Sequence, residues 1–162
     1  MAIRQAAVVA ATMSVLSVVP VAAAGAQPAS RAHFSSFDQR LLYDINHQRS
    51  LDDLASLTLS APLQSLAVSW ANQEAAEQRL YDNPHLRAAI NQNCPSWKAV
   101  GEVAGRAGNA DADALFKTYM NNPAEHQTLL SRSYTQVGLW SVAVNEDGSV
   151  VQYNAIDLAR GC

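Results

Sequence analysis

Hydrophobic positions along this chain follow one period and then another. From residue 36 to about 120 they recur three and four apart, and beyond residue 136 they become valine- and aromatic-rich runs. In SSFDQRLLYDINHQRS, Phe37, Leu41, Leu42 and Ile45 share one helical face, with Ser36 as the predicted N-cap and Gln39 in capping-box position. This predicts a first helix ending near Ser50. LDDLASLTLSAP reads as a connector, with a short extended segment around Leu57 to Leu59. Ser60 then caps a second helix with Pro62 in its first turn, and Leu63, Leu66, Ala67, Trp70, Ala71 and Ala75 form its apolar stripe. That helix is predicted to run to about Leu80. The place of Trp70 in the stripe marks it as a packing residue rather than a ligand platform.

Periodicity weakens between Tyr81 and Gly108, where Pro84, Pro95, Gly101, Gly105 and Gly108 punctuate the chain. At most one short helix, about Pro84 to Asn91, fits there, and the remainder is expected to be a long loop pinned through Cys94. ADADALFKTYM resumes helical spacing, with acids in its first turn, and Asn122-Pro123 ends it. TQVGLWSVAV and SVVQYNAID, separated by the turn NEDG, predict an antiparallel hairpin over roughly Gln136–Val144 and Ser149–Asp157. Helices first and a hairpin last define an α+β domain, with helices covering an antiparallel sheet.

The N-terminus changes the picture of where this domain works. Arg4, an apolar run from Ala6 to Ala24 and the small residues Ala24-Gly25-Ala26 have the form of a secretory signal, cut between Ala26 and Gln27. The expected organisation is a signal peptide over 1–26, a flexible lead-in over 27–35 and one domain over 36–162. The exported chain of about 136 residues suits a single core. Arg4 leaves with the leader, taking the formal charge from −3 to −4. Basic residues are scattered singly, which argues against nucleic acid as a partner, and no other apolar stretch is long enough to span a bilayer. Export also makes Cys94 and Cys162, the two cysteines of the chain, an expected disulfide. A catalytic thiol at Cys94, paired with a histidine, is the alternative.

Chemistry-bearing residues are sparse. Of four histidines, His33 falls in the lead-in and His47 turns away from the apolar face of its helix, so both are expected at the surface. His85 and His126 each follow a proline near a helix end, and Glu102 sits between Gly101 and Gly105. Two imidazoles and a carboxylate are the donor types of a divalent ion such as zinc with an open position for water. The chain has no G-x-S-x-G elbow, no H-E-x-x-H, no phosphate-binding glycine loop and no dinucleotide fingerprint. Glu125, beside His126, points about 100° away from it on a helix, so the two do not aim at one atom.

These pieces stand in the order of a known family. LLYDINHQR resembles the Asn-x-x-Arg opening helix of the CAP superfamily (cysteine-rich secretory proteins, antigen 5 and pathogenesis-related 1 proteins) in its short bacterial form. LQSLAVSWANQEAAEQ is similar to its second helix, and NPH takes the place of its first cavity histidine. GEVAG resembles its Gly-Glu-Asn-(Ile/Leu)-Ala element, and YMNNPAEHQTLLSRSYTQVGLWSVAV its Trp-x-x-Ser-Pro-Gly-His-Arg-x-x-Ile-Leu run with the following strand. The resemblance covers residues 37 to 157. It implies an α-β-α sandwich around a small antiparallel sheet, and a cleft in which His85, His126 and Glu102 hold zinc or another divalent cation. Three departures stand out: Val103 replaces the motif asparagine, NPAEH is one residue longer than Ser-Pro-Gly-His, and the family's second acid has no counterpart between Ala114 and Asn122. The second acid's role is not transferred to Glu125, which is expected to be a surface or supporting acid.

The expected function is a secreted, non-enzymatic binding module of the extracellular space or cell envelope, whose His/Glu cleft holds a divalent metal or a small ligand, with lipid as a further candidate. Two other classes are weighed against it. One is a structural or interaction protein bound to a cell-envelope component, and the other is a weak metal-dependent hydrolase using Glu102 as general base.

Overall fold

Side-chain alternation along three long strands sorts the hydrophobic residues onto the two faces of one sheet. The computed structural model describes residues 34–162, within a compact unit spanning His33–Cys162. The expected leader, its cleavage site and His33 lie outside the described residues. The elements are α1 (Ser36–Leu51), β1 (Thr58–Leu59), α2 (Ala61–Glu77), α3 (Leu86–Asn93), β2 (Ala99–Gly108), α4 (Ala112–Asn121), α5 (Pro123–Leu129), β3 (Gln136–Glu146) and β4 (Ser149–Arg160). The sheet order is β1-β3-β4-β2. β4 pairs antiparallel with both β3 and β2, whereas the two-residue β1 runs parallel to β3. The fold is therefore α+β, with a small sheet that is antiparallel apart from β1.

On one face Val103 and Ala107 of β2, Val137 and Leu139 of β3, and Ile156 and Leu158 of β4 join Leu41 and Ile45 of α1, Leu115 and Tyr119 of α4 and Leu129 of α5. On the other face the intervening residues Ala155 and Ala159 of β4, with Trp140 and Val142 of β3, pack against Leu63, Ala67, Trp70 and Ala71 of α2. Period two in the strands and period 3.6 in the helices thus meet as two apolar layers. The α2 backbone at Leu63 lies directly on Gly138, where a Cβ would collide with it.

The predicted helices form, with shifted boundaries. The N-cap of α1 is Ser35 rather than Ser36, and the reciprocal partner is Asp38 rather than Gln39. Asp38 wins because a charged acceptor bonds the Ser35 amide and hydroxyl, while the Gln39 amide turns to the Phe34 carbonyl. α2 stops at Glu77, since Gln78 adopts a left-handed conformation with φ 50°. Ser60 occupies the N-cap position of α2 but makes no side-chain capping bond; its hydroxyl lies 3.6 Å from Cys162 Sγ.

The larger correction concerns the stretch expected to be a long loop. Ala99–Gly108 is a strand, paired along its whole length with β4. Its glycines are not loop punctuation. Gly101 makes room for the Tyr134 ring and Gly105 for the Tyr119 hydroxyl, and a Cβ at either position would strike the tyrosine. Cys94, just after α3, is bonded to Cys162 across a separation of 68 residues, so the C-terminus is tied to the segment that feeds β2.

The opening Asn-x-x-Arg pair is structural. Asn46 accepts from the Leu57 amide at 2.8 Å and donates to the Leu57 carbonyl at 3.2 Å, fixing the connector against α1. Arg49, 1% exposed, donates through Nε to Ala55 O (2.9 Å), through Nη1 to Leu129 O (2.6 Å) and Ser131 O (3.1 Å), and through Nη2 to Tyr134 O (3.2 Å). One guanidinium therefore joins the end of α1, the connector, the end of α5 and the approach to β3.

Two stability outcomes follow from these ties. Arg49→Lys offers one nitrogen to carbonyls spread over four places, and is expected to cost about 2–4 kcal/mol in urea unfolding. Replacing both cysteines by alanine releases a 68-residue loop and is expected to cost about 4 kcal/mol by the same measurement.

Candidate functional site

The cleft is built where the free edge of β2 meets the segment before α3 and the start of α5. Trp70 sets the first wall. Its indole N–H donates to Tyr81 O at 3.2 Å and its ring meets the Tyr81 ring edge-on, with centroids 4.8 Å apart. Asp82 and Asn83 follow. The Asn83 amide donates to Glu102 Oε1 at 2.8 Å, while the Asn83 side chain accepts from the His85 amide at 2.9 Å. The opposite wall is α5, opened by Pro123 and capped by Asn122, whose side chain accepts from the Ala124 amide at 3.1 Å. Between the walls is a cavity of about 320 Å³ lined by Asp82, Glu102, Val103, Asn122, Glu125 and Thr128, with Ala124.

Of the three residues expected as a metal set, Glu102 alone lines this cavity. Glu102 is half-buried and lines the cavity, but His85 and His126 are both exposed and neither contributes to the lining. Among the described residues no group of three or more His, Cys, Asp or Glu is arranged to hold a metal ion. Glu125 and His126 do diverge, as helical geometry requires, and it is Glu125 that turns inward. Of the two places expected for Glu125, at the surface or in support of the cleft, it takes the second and lines the same cavity as Glu102.

Beneath the cleft lie two further acids. Glu102 and Asp157 are directly paired across β2 and β4, so their side chains emerge on the same face of the sheet, the α2 face. Glu74 of α2 is fully buried, with Oε1 accepting from the Tyr81 amide at 3.4 Å. Glu74 Oε2, Glu102 Oε2, Glu125 Oε2 and both Asp157 carboxyl oxygens are buried without a hydrogen-bond partner. None of the four residues belongs to an ion pair among the described residues, where the pairs are Arg40–Asp44, Arg40–Asp113 and Arg106–Glu146.

Carboxylates in this position resist ionisation. Loss of hydration pushes Glu74 up to about 7, reinforced by the nearby charges of Glu102 and Asp82. Burial likewise lifts Glu102 to about 7, against the opposing hydrogen bond from Asn83. Asp157 rises well above the usual range through burial, then through repulsion from Glu102 and Glu74, and burial also raises Glu125. Protonation turns each acid into a hydrogen-bond donor and removes mutual repulsion.

Periodicity could not have found Glu74 or Asp157, because a lone acid within an apolar stripe or strand carries no spacing of its own. Their signal is that each interrupts a buried face: Glu74 lies beside Ala71 and Ala75, and Asp157 between Ala155 and Ala159.

A sheet with α2 on one face, α1 and α4 on the other, and an acid-lined cleft at its β2 edge defines an α-β-α sandwich. The chain belongs to the CAP family: the model of the cysteine-rich secretory protein family matches residues 42–154. Among solved structures, an outer surface protein of Borrelia burgdorferi superposes with a TM-score of 0.66 at 12% identity, covering 80% of this chain and 96% of that one. An SCP-domain extracellular protein of Bacillus anthracis gives 0.60 at 17% identity, over 75% of this chain and 39% of that one. A cysteine-rich secretory protein of Staphylococcus aureus gives 0.58 at 24% identity, over 75% and 37%. The chain thus spans well under half of the latter two, and all three likenesses concern the fold. A search of curated protein sequences returns no match.

The raised carboxyls give stability a defined pH dependence. In the folded state Glu74 and Glu102 hold protons up to about pH 7, whereas in the unfolded chain they lose them near 4.3. Their contribution is fully present below the unfolded value and is lost as pH rises through the folded one. Thermal unfolding midpoints are expected to fall between pH 5 and pH 8. Glu74→Gln is expected to flatten that fall, gaining about 1–3 kcal/mol over the parent at pH 8 and little at pH 5.

Proposed function

We propose that this protein is an exported, non-enzymatic binding module whose cleft takes a small ligand carrying a positively charged amine. The observation that carries this reading is the lining of the cleft. Three carboxylates, Asp82, Glu102 and Glu125, face one cavity of about 320 Å³ to which no lysine or arginine contributes. An ammonium group supplies the hydrogen-bond donors that the buried Glu102 and Glu125 oxygens lack. Binding also restores the ionised state of Glu102, whose pKa of about 7 burial imposes. Affinity for a cation therefore rises with pH across neutrality.

Export is part of the proposal. It is supported by the form of the first 26 residues and by the Cys94–Cys162 disulfide, which belongs to an oxidising compartment. Binding is preferred to turnover because the ionisable groups that line the cleft are carboxylates, with both imidazoles outside its lining.

Calorimetric titration with a short aliphatic diamine tests the reading. Saturable binding is expected at pH 8, with affinity at least tenfold weaker at pH 5.5 and at least tenfold weaker in Glu102→Gln/Glu125→Gln. Absence of binding at pH 8, or equal affinity in the double variant, would overturn it. A parallel zinc titration, compared with His85→Ala/His126→Ala, reports on the expected metal set independently. Zinc binding lost in that variant would support the histidine site.

A further inference from the structure

A second small cavity lies between the connector after α1 and the segment that leads into β3, with a lining distinct from that of the acidic cleft. It measures about 190 Å³ and is lined by Arg49, Leu54, Ala55, Arg132, Tyr134 and Thr135. Its charge is the reverse of the cleft's. Arg49 carries a full positive charge with 1% of its surface exposed, and no carboxylate among the described residues lies within ion-pair distance of it. A buried charge is ordinarily paired. Here four carbonyl oxygens stand in for a counter-ion, and they use four of the five guanidinium N–H groups. The fifth, on Nη2, meets no acceptor among the described residues.

Arg132 adds a second guanidinium at the same cavity. Its side chain is exposed, while its backbone is held in place because Arg160 donates to its carbonyl. Thr135, also in the lining, brings a hydroxyl; the Thr58 hydroxyl donates to the Thr135 backbone carbonyl and not to this side chain. The cavity has room for about six water volumes at ~30 Å³ each, which accommodates a tetrahedral oxyanion with some of its hydration. Burial alone depresses the pKa of Arg49, with no acid acting in the other direction.

We propose that this cavity binds a phosphate-type oxyanion, held by the free N–H of Arg49 from within and by the Arg132 guanidinium and Thr135 hydroxyl at its mouth. The ion completes the charge balance of Arg49 and the donor set that four carbonyls leave open. The anion site shares no lining residue with the cation-binding cleft, so Arg132→Glu and Glu102→Gln/Glu125→Gln report on the two sites separately. A free phosphate and a phosphorylated lipid headgroup present the same chemistry to these groups. The chain carries a net negative charge, which opposes unspecific attraction of anions, so binding here depends on the local pair of arginines.

The test uses the intact disulfide-bonded protein in chloride-free buffer, titrated calorimetrically with inorganic phosphate, beside Arg132→Glu and Thr135→Val. Both positions are exposed, so the variants are expected to fold, and unfolding midpoints confirm it. The expected result is saturable binding, competed by sulfate, at least tenfold weaker in Arg132→Glu and weaker in Thr135→Val. A second arm uses phosphatidylcholine vesicles containing phosphatidic acid. Vesicle binding that phosphate competes and Arg132→Glu abolishes supports the site with a headgroup as source; phosphate binding without vesicle binding supports it with a free ion as source. No saturable binding, or weak binding equal in the parent and Arg132→Glu, means an adventitious ion only and overturns the proposal. Vesicle binding indifferent to both phosphate and Arg132→Glu overturns it equally.

Discussion

The Arg49 guanidinium is the constraint on which the rest of the fold depends. Carbonyl groups at a helix end and in irregular connections have no partners of their own, and burying them unsatisfied is costly. Arg49 meets four such carbonyls at once, at Ala55, Leu129, Ser131 and Tyr134. The end of α5 and the entry to β3 can therefore lie close to α1 without a run of regular structure between them. This arrangement fixes more than local geometry. The Arg49 bond to Leu129 O holds the last turn of α5, and the first turn of that helix carries Glu125 to the cleft. A structural arginine in the first motif of the chain thereby positions a cleft carboxylate some eighty residues later.

The molecule keeps its buried charges of opposite sign apart. Arg49 is buried without an acid, and Glu74 and Asp157 are buried without a base. A fold optimised only for stability would bring such groups together or replace them with apolar side chains. Backbone carbonyls solvate the arginine, which cannot readily give up its proton. The acids can be neutralised by taking one up, and their pKa values rise for that reason. The same low-polarity surroundings that destabilise the ionised acids make them responsive to a cation placed in the cleft.

Helices and the hairpin were legible in the sequence because they depend on periodicity. Phe37, Leu41 and Ile45, the α2 stripe and the valine-rich β3 and β4 all appear where the spacing puts them. β2 was not legible, since its pairing partner β4 lies about fifty residues downstream and its glycines read locally as turns. Those glycines serve tertiary contacts with Tyr119 and Tyr134 that no local rule can see. The cleft was half legible. Glu102 was identified through its motif, and the divergence of Glu125 from His126 followed from helical geometry. Which of the two faces inward depends on the seating of α5 against β2. Glu74 and Asp157 stayed hidden because an acid on an apolar face looks like an exposed exception until the face is known to be covered.

Val103 shows how one departure from the family pattern shapes the site. Strand alternation sends Glu102 to the α2 face and Val103 to the opposite one, where Val103 is 3% exposed in the cluster that contains Leu129 of α5. An asparagine there would place two polar groups in an apolar layer and require partners that this cluster of hydrophobic side chains does not supply. Valine instead gives α5 an apolar seat on β2, beside the Arg49 tie at the far end of the same helix. With both ends of its attachment made by packing and by a backbone bond, α5 needs no polar residue at position 103 to hold it. The charge of the cleft then rests on Asp82, Glu102 and Glu125, and the side chain at 103 adds an apolar patch to the same lining.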